Sequence, residues 1–304
     1  MTDAVFLLIA IGLLWFSADW IVESASAVAR RFGVSELAIG LTVVAFGTSA
    51  PEFLVTITAA IRGLADISLS NVVGSNFYNL GLVLGLVAMV RPVGAGKVVL
   101  YRDGMLLLGL TAAVGMAVRF GWLGPSGGLV LLLFLLGYVL ILLRTRSAVQ
   151  DIPGAREVRW WDYPRLLAGF AGVALGGSLM VESASSIARG LGVSEWWIGM
   201  TLVAFGTSLP ELVTCLSAAL KGRSDMLLGN LIGSNVFNFA GVLGLTCMLR
   251  PLDVSPSAQA VVWFNLGVVA LVLVFMRTGW RIGRREGLVL VALNVAAMAF
   301  GRLG

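Results

Sequence analysis

The sequence contains no histidine, only two cysteines, and charge on just 12% of its 304 residues. Without histidine or clustered cysteine, transition-metal sites built on imidazole or thiolate ligands are disfavoured. Cys215 and Cys247 lie inside apolar segments, where they read as small packed hydrophobes rather than a disulfide framework. The chain has no glycine-rich phosphate loop of the kind an ATP-driven pump needs, and no Ser/His or Gly-X-Gly-Asp pattern that would support hydrolysis. So little charge cannot cover the surface of a soluble domain of this length.

What is present is apolar: 59% of the residues are hydrophobic and the mean hydropathy is +0.97. The apolar residues fall into runs of roughly 20, the length a helix needs to cross a hydrocarbon core. Ten spans are expected, over about 4–29, 35–61, 65–90, 101–119, 124–143, 161–188, 195–220, 224–249, 259–276 and 286–302. This is an all-α polytopic membrane protein, with the bilayer as its partner. The run Ala4–Trp20 reads as the first span and not as a signal peptide, because Asp3 and no basic residue precedes it. The net charge of +5 comes from scattered residues and does not suggest nucleic acid. Of the 21 Lys and Arg, 16 fall in alternate connections, so both termini are expected outside and the segments 144–165 and 277–285 inside.

The second half repeats the first. Residues 33–92 align with 192–251 at a constant offset of 159, without a gap, and 32 of the 60 positions are identical. Val22-Glu23-Ser24-Ala25-Ser26 and Val181-Glu182-Ser183-Ala184-Ser185 extend the match to the first and sixth spans. A unit of five helices inverts its second copy, giving two inverted five-helix repeats. The expected division is a first repeat over 1–143, a cytoplasmic linker over 144–160 and a second repeat over 161–304.

The repeated polar residues carry the chemistry. Gly47-Thr48-Ser49-Ala50-Pro51-Glu52 sits inside the second span and Gly206-Thr207-Ser208-Leu209-Pro210-Glu211 inside the seventh. A carboxylate within a span costs at least about 2.5–3.5 kcal/mol and marks a functional site by default. The adjacent proline opens the backbone beside it. Freed carbonyls, notably of Ala45 and Ala204, and the hydroxyls of Thr48, Ser49, Thr207 and Ser208 would add neutral oxygens, which hard cations prefer. Gly74-Ser75-Asn76-Phe77-Tyr78-Asn79 and Gly233-Ser234-Asn235-Val236-Phe237-Asn238 follow in the third and eighth spans. At helical spacing Ser75 shares a face with Asn79, and Ser234 with Asn238. Two carboxylates among several neutral oxygens suit Ca²⁺ best of the divalent cations, or several Na⁺ competing for the same carboxylates.

These paired segments resemble the α-repeats of the calcium/cation antiporter superfamily, closest to the prokaryotic sodium/calcium exchangers. The resemblance implies a secondary active antiporter exchanging Na⁺ for Ca²⁺ by alternating access, with no enzymatic activity, no cofactor beyond the transported ions and no obligatory protein partner. It implies Glu52, Glu211, Thr48 and Thr207 as Ca²⁺ ligands. The same residues, with Ser49, Ser75, Ser208, Ser234 and the Ala45 and Ala204 carbonyls, would form the Na⁺ sites, and Asn79 and Asn238 would support the middle. It also implies a bacterial or archaeal cell membrane. Many relatives have aspartate where this chain has Asn238. Thr48-Ser49 and Thr207-Ser208 argue for sodium coupling; a proton-coupled Ca²⁺ antiporter and a cation channel are the alternatives.

Away from these motifs, Asp66 and Asp225 read as solvated turn residues, and Glu23 and Glu182 as groups snorkelling toward an interface or shaping an ion entrance. Small residues on the first and sixth spans, such as Ser24, Ala25, Gly176, Gly177 and Ala184, suggest a pair that slides over the other helices.

Overall fold

The computed structural model describes residues 2–144, 157–192, 204–253 and 256–299. The helices are α1 (Thr2–Phe32), α2 (Glu36–Thr48), α3 (Ala50–Ile61), α4 (Ala65–Val90), α5 (Val99–Arg119) and α6 (Pro125–Arg144), then α7 (Asp162–Gly190), α8 (Ala204–Gly206), α9 (Leu209–Leu220), α10 (Ser224–Leu249), α11 (Pro256–Arg277) and α12 (Arg284–Ala299). Two short strands, β1 (Val93–Gly94) and β2 (Arg281–Ile282), pair antiparallel and tie the end of α4 to the start of α12. Among the described residues, seven helices are long and apolar enough to cross a membrane, or eight when α2 and α3 count as one bent span. The chain is a polytopic helical membrane protein. Of the other two expected spans, α9 is described over 12 residues and α12 over 16. The start of the seventh expected span, at 195–203, and linker residues 145–156 lie outside the described residues.

Local sequence explains the breaks. Pro51 and Pro210 both stand in the first turn of a helix, α3 and α9, where the missing N–H is not needed for an intrahelical bond. Between α2 and α3 the axis bends by 50°, and the hinge is Ser49. Further along each repeat the helix widens into a π turn, over Asn79–Val83 in α4 and Phe237–Leu243 in α10. Such turns cluster at functional positions. At the centre lie α10 and α4, whose apolar windows are 89% and 78% buried, against 22% for α6 at the lipid-facing edge.

Glycine sets the close crossing of α2 on α10. A Cβ at Gly229 of α10 would stand 2.6 Å from the Leu37 carbonyl oxygen, and one at Gly40 of α2 would stand 2.7 Å from the Met226 carbonyl oxygen. The two backbones therefore touch, as membrane helices do where small residues meet. Helices α1 and α7 pack along each other in the same way, with Gly169 and Gly176 against Ile21 and Leu14.

The two halves also cap one another. Arg91 donates from Nη1 to the carbonyls of Ala219 and Leu220 at the end of α9 (2.9 and 2.8 Å). Its repeat partner Arg250 donates from Nη1 to the Ile61 carbonyl at the end of α3 (3.2 Å). Each guanidinium thus meets the negative end of a helix dipole. Gly63 and Gly222, with φ of +81° and +75°, turn the chain beneath them. Arg91→Ala is expected to lower the melting temperature in detergent more than Arg250→Ala, because it forfeits two short bonds instead of one longer one. Equal shifts would show that the caps do not differ.

Candidate cation-binding site

Four segments converge at the middle of the bundle. The hinge between α2 and α3 supplies Thr48, Ser49 and Glu52, and the turn between α8 and α9 supplies Thr207, Ser208 and Glu211. From α4 and α10 come Ser75, Asn76 and Asn79, and Asn230, Ser234, Asn235 and Asn238. Glu52, Glu211, Thr48, Ser49, Ser208, Ser234, Asn79 and Asn238 are fully buried, Ser75 nearly so, and Thr207 half-buried. Both glutamates occupy the first turn of a half-helix, where the N-terminal end of the dipole favours negative charge.

Contacts run from one repeat to the other. Ser49 and Ser234 donate their hydroxyls to Glu211 Oε1 at 3.2 and 3.3 Å. Thr48 Oγ1 lies 3.4 Å from Ser234 Oγ and donates to Asn230 Oδ1 at 3.1 Å. Asn238 donates from Nδ2 to Ser75 Oγ and to Asn76 Oδ1, both at 3.0 Å. The Asn76 amide in turn donates to the Asn235 carbonyl at 3.2 Å. The two carboxylates are near enough for their charges to repel, and Thr207 stands beside Glu52.

Oxygen atoms remain without partners. Both Glu52 oxygens, Glu211 Oε2, Ser208 Oγ, Asn238 Oδ1 and the whole Asn79 amide are buried with no hydrogen bond of ordinary geometry. Buried polar groups are almost always paired, so a cluster of unpaired oxygens calls for a ligand that only accepts lone pairs. The Asn238 amide illustrates the point: its N–H groups are used within the protein, which leaves its carbonyl oxygen as a neutral donor of lone pairs. The Ala45 carbonyl differs from the expectation of a freed group. It accepts from the Ser49 N–H at 3.1 Å and lies 3.4 Å from the Thr48 hydroxyl, so it is engaged within its own helix. Ala204 begins α8, and residues 193–203 before it lie outside the described residues.

Comparison with known proteins agrees with this architecture. The family model for sodium/calcium exchanger protein matches residues 2–144 and 163–301. Sodium/calcium exchanger MaX1 of Methanosarcina acetivorans is 35% identical over 341 residues, covering 96% of each chain. Inner membrane protein YrbG of Escherichia coli is 33% identical over 299 residues, covering 92% of this chain and 90% of its own. The solved structure of the sodium-calcium exchanger NCX_Mj soaked with Na⁺ and Ca²⁺ superposes with a TM-score of 0.83 at 32% identity, over 98% of both chains. The chain belongs to the sodium/calcium exchanger family. It is a multi-pass cation antiporter of the prokaryotic kind.

Within this exchanger the motif residues are brought together, and the structure adds some that the motifs did not single out. Asn230 braces Thr48 and donates from Nδ2 to Cys215 Sγ at 3.4 Å. Its repeat partner Asn71 donates to Thr56 Oγ1 at 2.9 Å, and Thr56 is the repeat partner of Cys215. Asn76 accepts from Asn238 and donates to the Asn235 carbonyl, whereas the Asn235 amide donates to the Leu231 carbonyl of its own helix at 2.7 Å. A signal was available, since both asparagine pairs are identical at the offset of 159 and lie in apolar surroundings. Asp103 is a different case: buried in α5, it accepts from Arg102 (2.8 and 3.0 Å) and from the Tyr138 hydroxyl of α6 (3.0 Å). Both its oxygens are occupied, so it ties α5 to α6. Asp66 and Asp225 are exposed as expected, but both stand in the first turn of a helix, α4 and α10, and not in the connecting turn.

Proposed function

We propose that this chain exchanges Na⁺ for Ca²⁺ by alternating access, through ten spans arranged as two inverted five-helix repeats, 1–143 and 161–304, joined by a cytoplasmic linker. Both termini face outward, across a bacterial or archaeal cell membrane. The observation that carries the reading is the set of unpaired buried oxygens centred on Glu52 and Glu211, to which both repeats contribute. Glu52, Glu211, Thr48 and Thr207 hold Ca²⁺. Ser49, Ser75, Ser208 and Ser234, with the Ala45 and Ala204 carbonyls and the same glutamates and threonines, hold Na⁺, and Asn79 and Asn238 support the middle.

The physical logic is competition. Two carboxylates neutralise one Ca²⁺, and the neutral oxygens around them supply the rest of the roughly 6–8 contacts that Ca²⁺ takes. Several Na⁺ ions spread over the same oxygens neutralise the same charges, so the two loads exclude each other. A carboxylate pair left empty would be costly to carry past the midplane, which couples movement to occupancy. The α1–α7 pair, packed through small residues, is the element that slides.

The test is ⁴⁵Ca²⁺ uptake into proteoliposomes loaded with Na⁺, against K⁺-loaded vesicles and vesicles holding only a pH gradient. Uptake is expected only with internal Na⁺. Uptake driven equally by the pH gradient would overturn sodium coupling, and large uncoupled currents would overturn exchange.

A further inference from the structure

The two halves are alike in sequence but are not packed alike. Helix α1 packs along α9, whereas α7, its counterpart, makes no comparable packing on α3. The exposure of matched residues records the difference. On α9, Leu209, Thr214 and Ser217 are buried; their partners on α3, Ala50, Val55 and Thr58, are exposed, Val55 at 41% against 0% for Thr214. Likewise Glu23 of α1 is half-buried and Glu182 of α7 exposed. The site residues are buried on both sides, but α9 beside them is covered by α1 whereas the matching face of α3 is uncovered.

Charge holds the covered side shut. Lys221, which caps α9, places Nζ 2.9 Å from Asp19 Oδ1 and 2.9 Å from Glu23 Oε1, both on α1. Ser217 donates to the same Asp19 oxygen at 2.8 Å. Arg165 of α7 reaches Glu23 Oε2 at 2.9 Å and so ties the two mobile helices to each other. Lys221 is therefore a charged link between the α1–α7 pair and the rest of the bundle at this end. Shifting each residue by the repeat offset gives Arg62 for Lys221, Glu182 for Glu23, Ser178 for Asp19 and Phe6 for Arg165. Among the described residues no ion pair joins Arg62 to Glu182.

We infer that Lys221 with Asp19 and Glu23 forms a charged gate that closes the α9 end of the site, and that Arg62 with Glu182 forms its counterpart when the α3 end closes. The inference rests on the inverted repeats and alternating access proposed above; in that orientation the α9 end is cytoplasmic. Glu23 and Glu182 then belong to the gates of the ion entrances, one engaged and one released. The gates are unequal, because Ser178 and Phe6 contribute no charge where Asp19 and Arg165 do. The protein is consequently biased toward the state closed on the cytoplasmic side.

Two measurements test this separately. In Val55→Cys and Thr214→Cys variants, labelling by a membrane-impermeant maleimide is expected at position 55 and not at 214. Adding Lys221→Ala should protect position 55 and open 214 from the cytoplasmic face, with Lys221→Glu/Glu23→Lys restoring the original pattern. In side-resolved ⁴⁵Ca²⁺ flux, Lys221→Ala should raise apparent affinity at the cytoplasmic face and lower it outside, by about two- to five-fold for a partly exposed pair. Arg62→Ala should act in the opposite sense and more weakly. Labelling unchanged by Lys221→Ala, or affinity changing equally at both faces, would overturn the gate even if exchange is normal. Loss of exchange in the unmodified protein with the labelling pattern intact would instead overturn the exchange reading and leave the gate standing.

Discussion

Glu52→Gln and Glu211→Gln are expected to abolish Ca²⁺ flux while raising the melting temperature of the ion-free protein by a few degrees. The two effects have one cause. Each glutamate is fully buried in the centre of the bundle, and their charges repel. A buried carboxylate costs at least about 2.5–3.5 kcal/mol in this setting, a cost that the neutral amide avoids. Of the two, Glu52→Gln should give the larger gain, because neither Glu52 oxygen has a hydrogen-bond partner, whereas Glu211 accepts from Ser49 and Ser234. Saturating Ca²⁺ should reverse the order. A ligand at 100 times its dissociation constant stabilises the native state by about 2.7 kcal/mol, and only the unmodified protein can collect that energy. The measurement is a thermal melt in detergent with chelator and then with Ca²⁺. Equal Ca²⁺-dependent shifts in variant and unmodified protein would remove both glutamates from the site.

Gly229→Ser is expected to be nearly as damaging, although it merely imports the residue that the first repeat has at the matching position, Ser70. Ser70 is exposed and has room for its side chain. At Gly229 a Cβ would meet the Leu37 carbonyl oxygen at 2.6 Å and the Leu41 nitrogen at 3.0 Å, both backbone atoms that cannot swing aside. Helices α2 and α10 would have to separate, and that separation would pull Thr48 away from Asn230 and Ser234 and open the site. Loss of folded protein during detergent extraction, or loss of Ca²⁺-dependent stabilisation where it survives, is the expected result. Near-normal stability with normal Ca²⁺ response would show that the crossing can relax. Reversing the exchange, Ser70→Gly should cost little, since it removes an exposed side chain.

Much of the architecture could be read directly from residue patterns. Apolar runs of about 20 residues placed the long helices because nothing else satisfies backbone hydrogen bonds in hydrocarbon. The prolines at 51 and 210 located the breaks, since their effect on a helix is local and needs no tertiary knowledge. Glu52 and Glu211 stood out because a carboxylate is so costly at that depth. Less was legible at Asn230 and Asn76, which hold Thr48 and Asn238 from behind. An asparagine in a span reads equally as a ligand or as a brace, and only the position of its neighbours separates the two. Asp103 escaped notice altogether, as its neutralisation by Arg102 and Tyr138 depends on how α5 and α6 come together.

The sequence by itself determined the membrane setting, the duplication and the oxygen-rich pair of motifs, because hydropathy, the offset of 159 and intramembrane acids are properties of residues in order along a chain. Tertiary structure alone decided which oxygens are left unpaired, that the Ala45 carbonyl keeps its backbone bond, and that Lys221 is engaged while Arg62 is not joined to Glu182. Two halves with matching motifs carry matching instructions, and sequence treats them as equivalent. A helix pair lying between them packs closely against only one side here, so the equivalence is broken by packing, which covers α9 and leaves the matching face of α3 exposed.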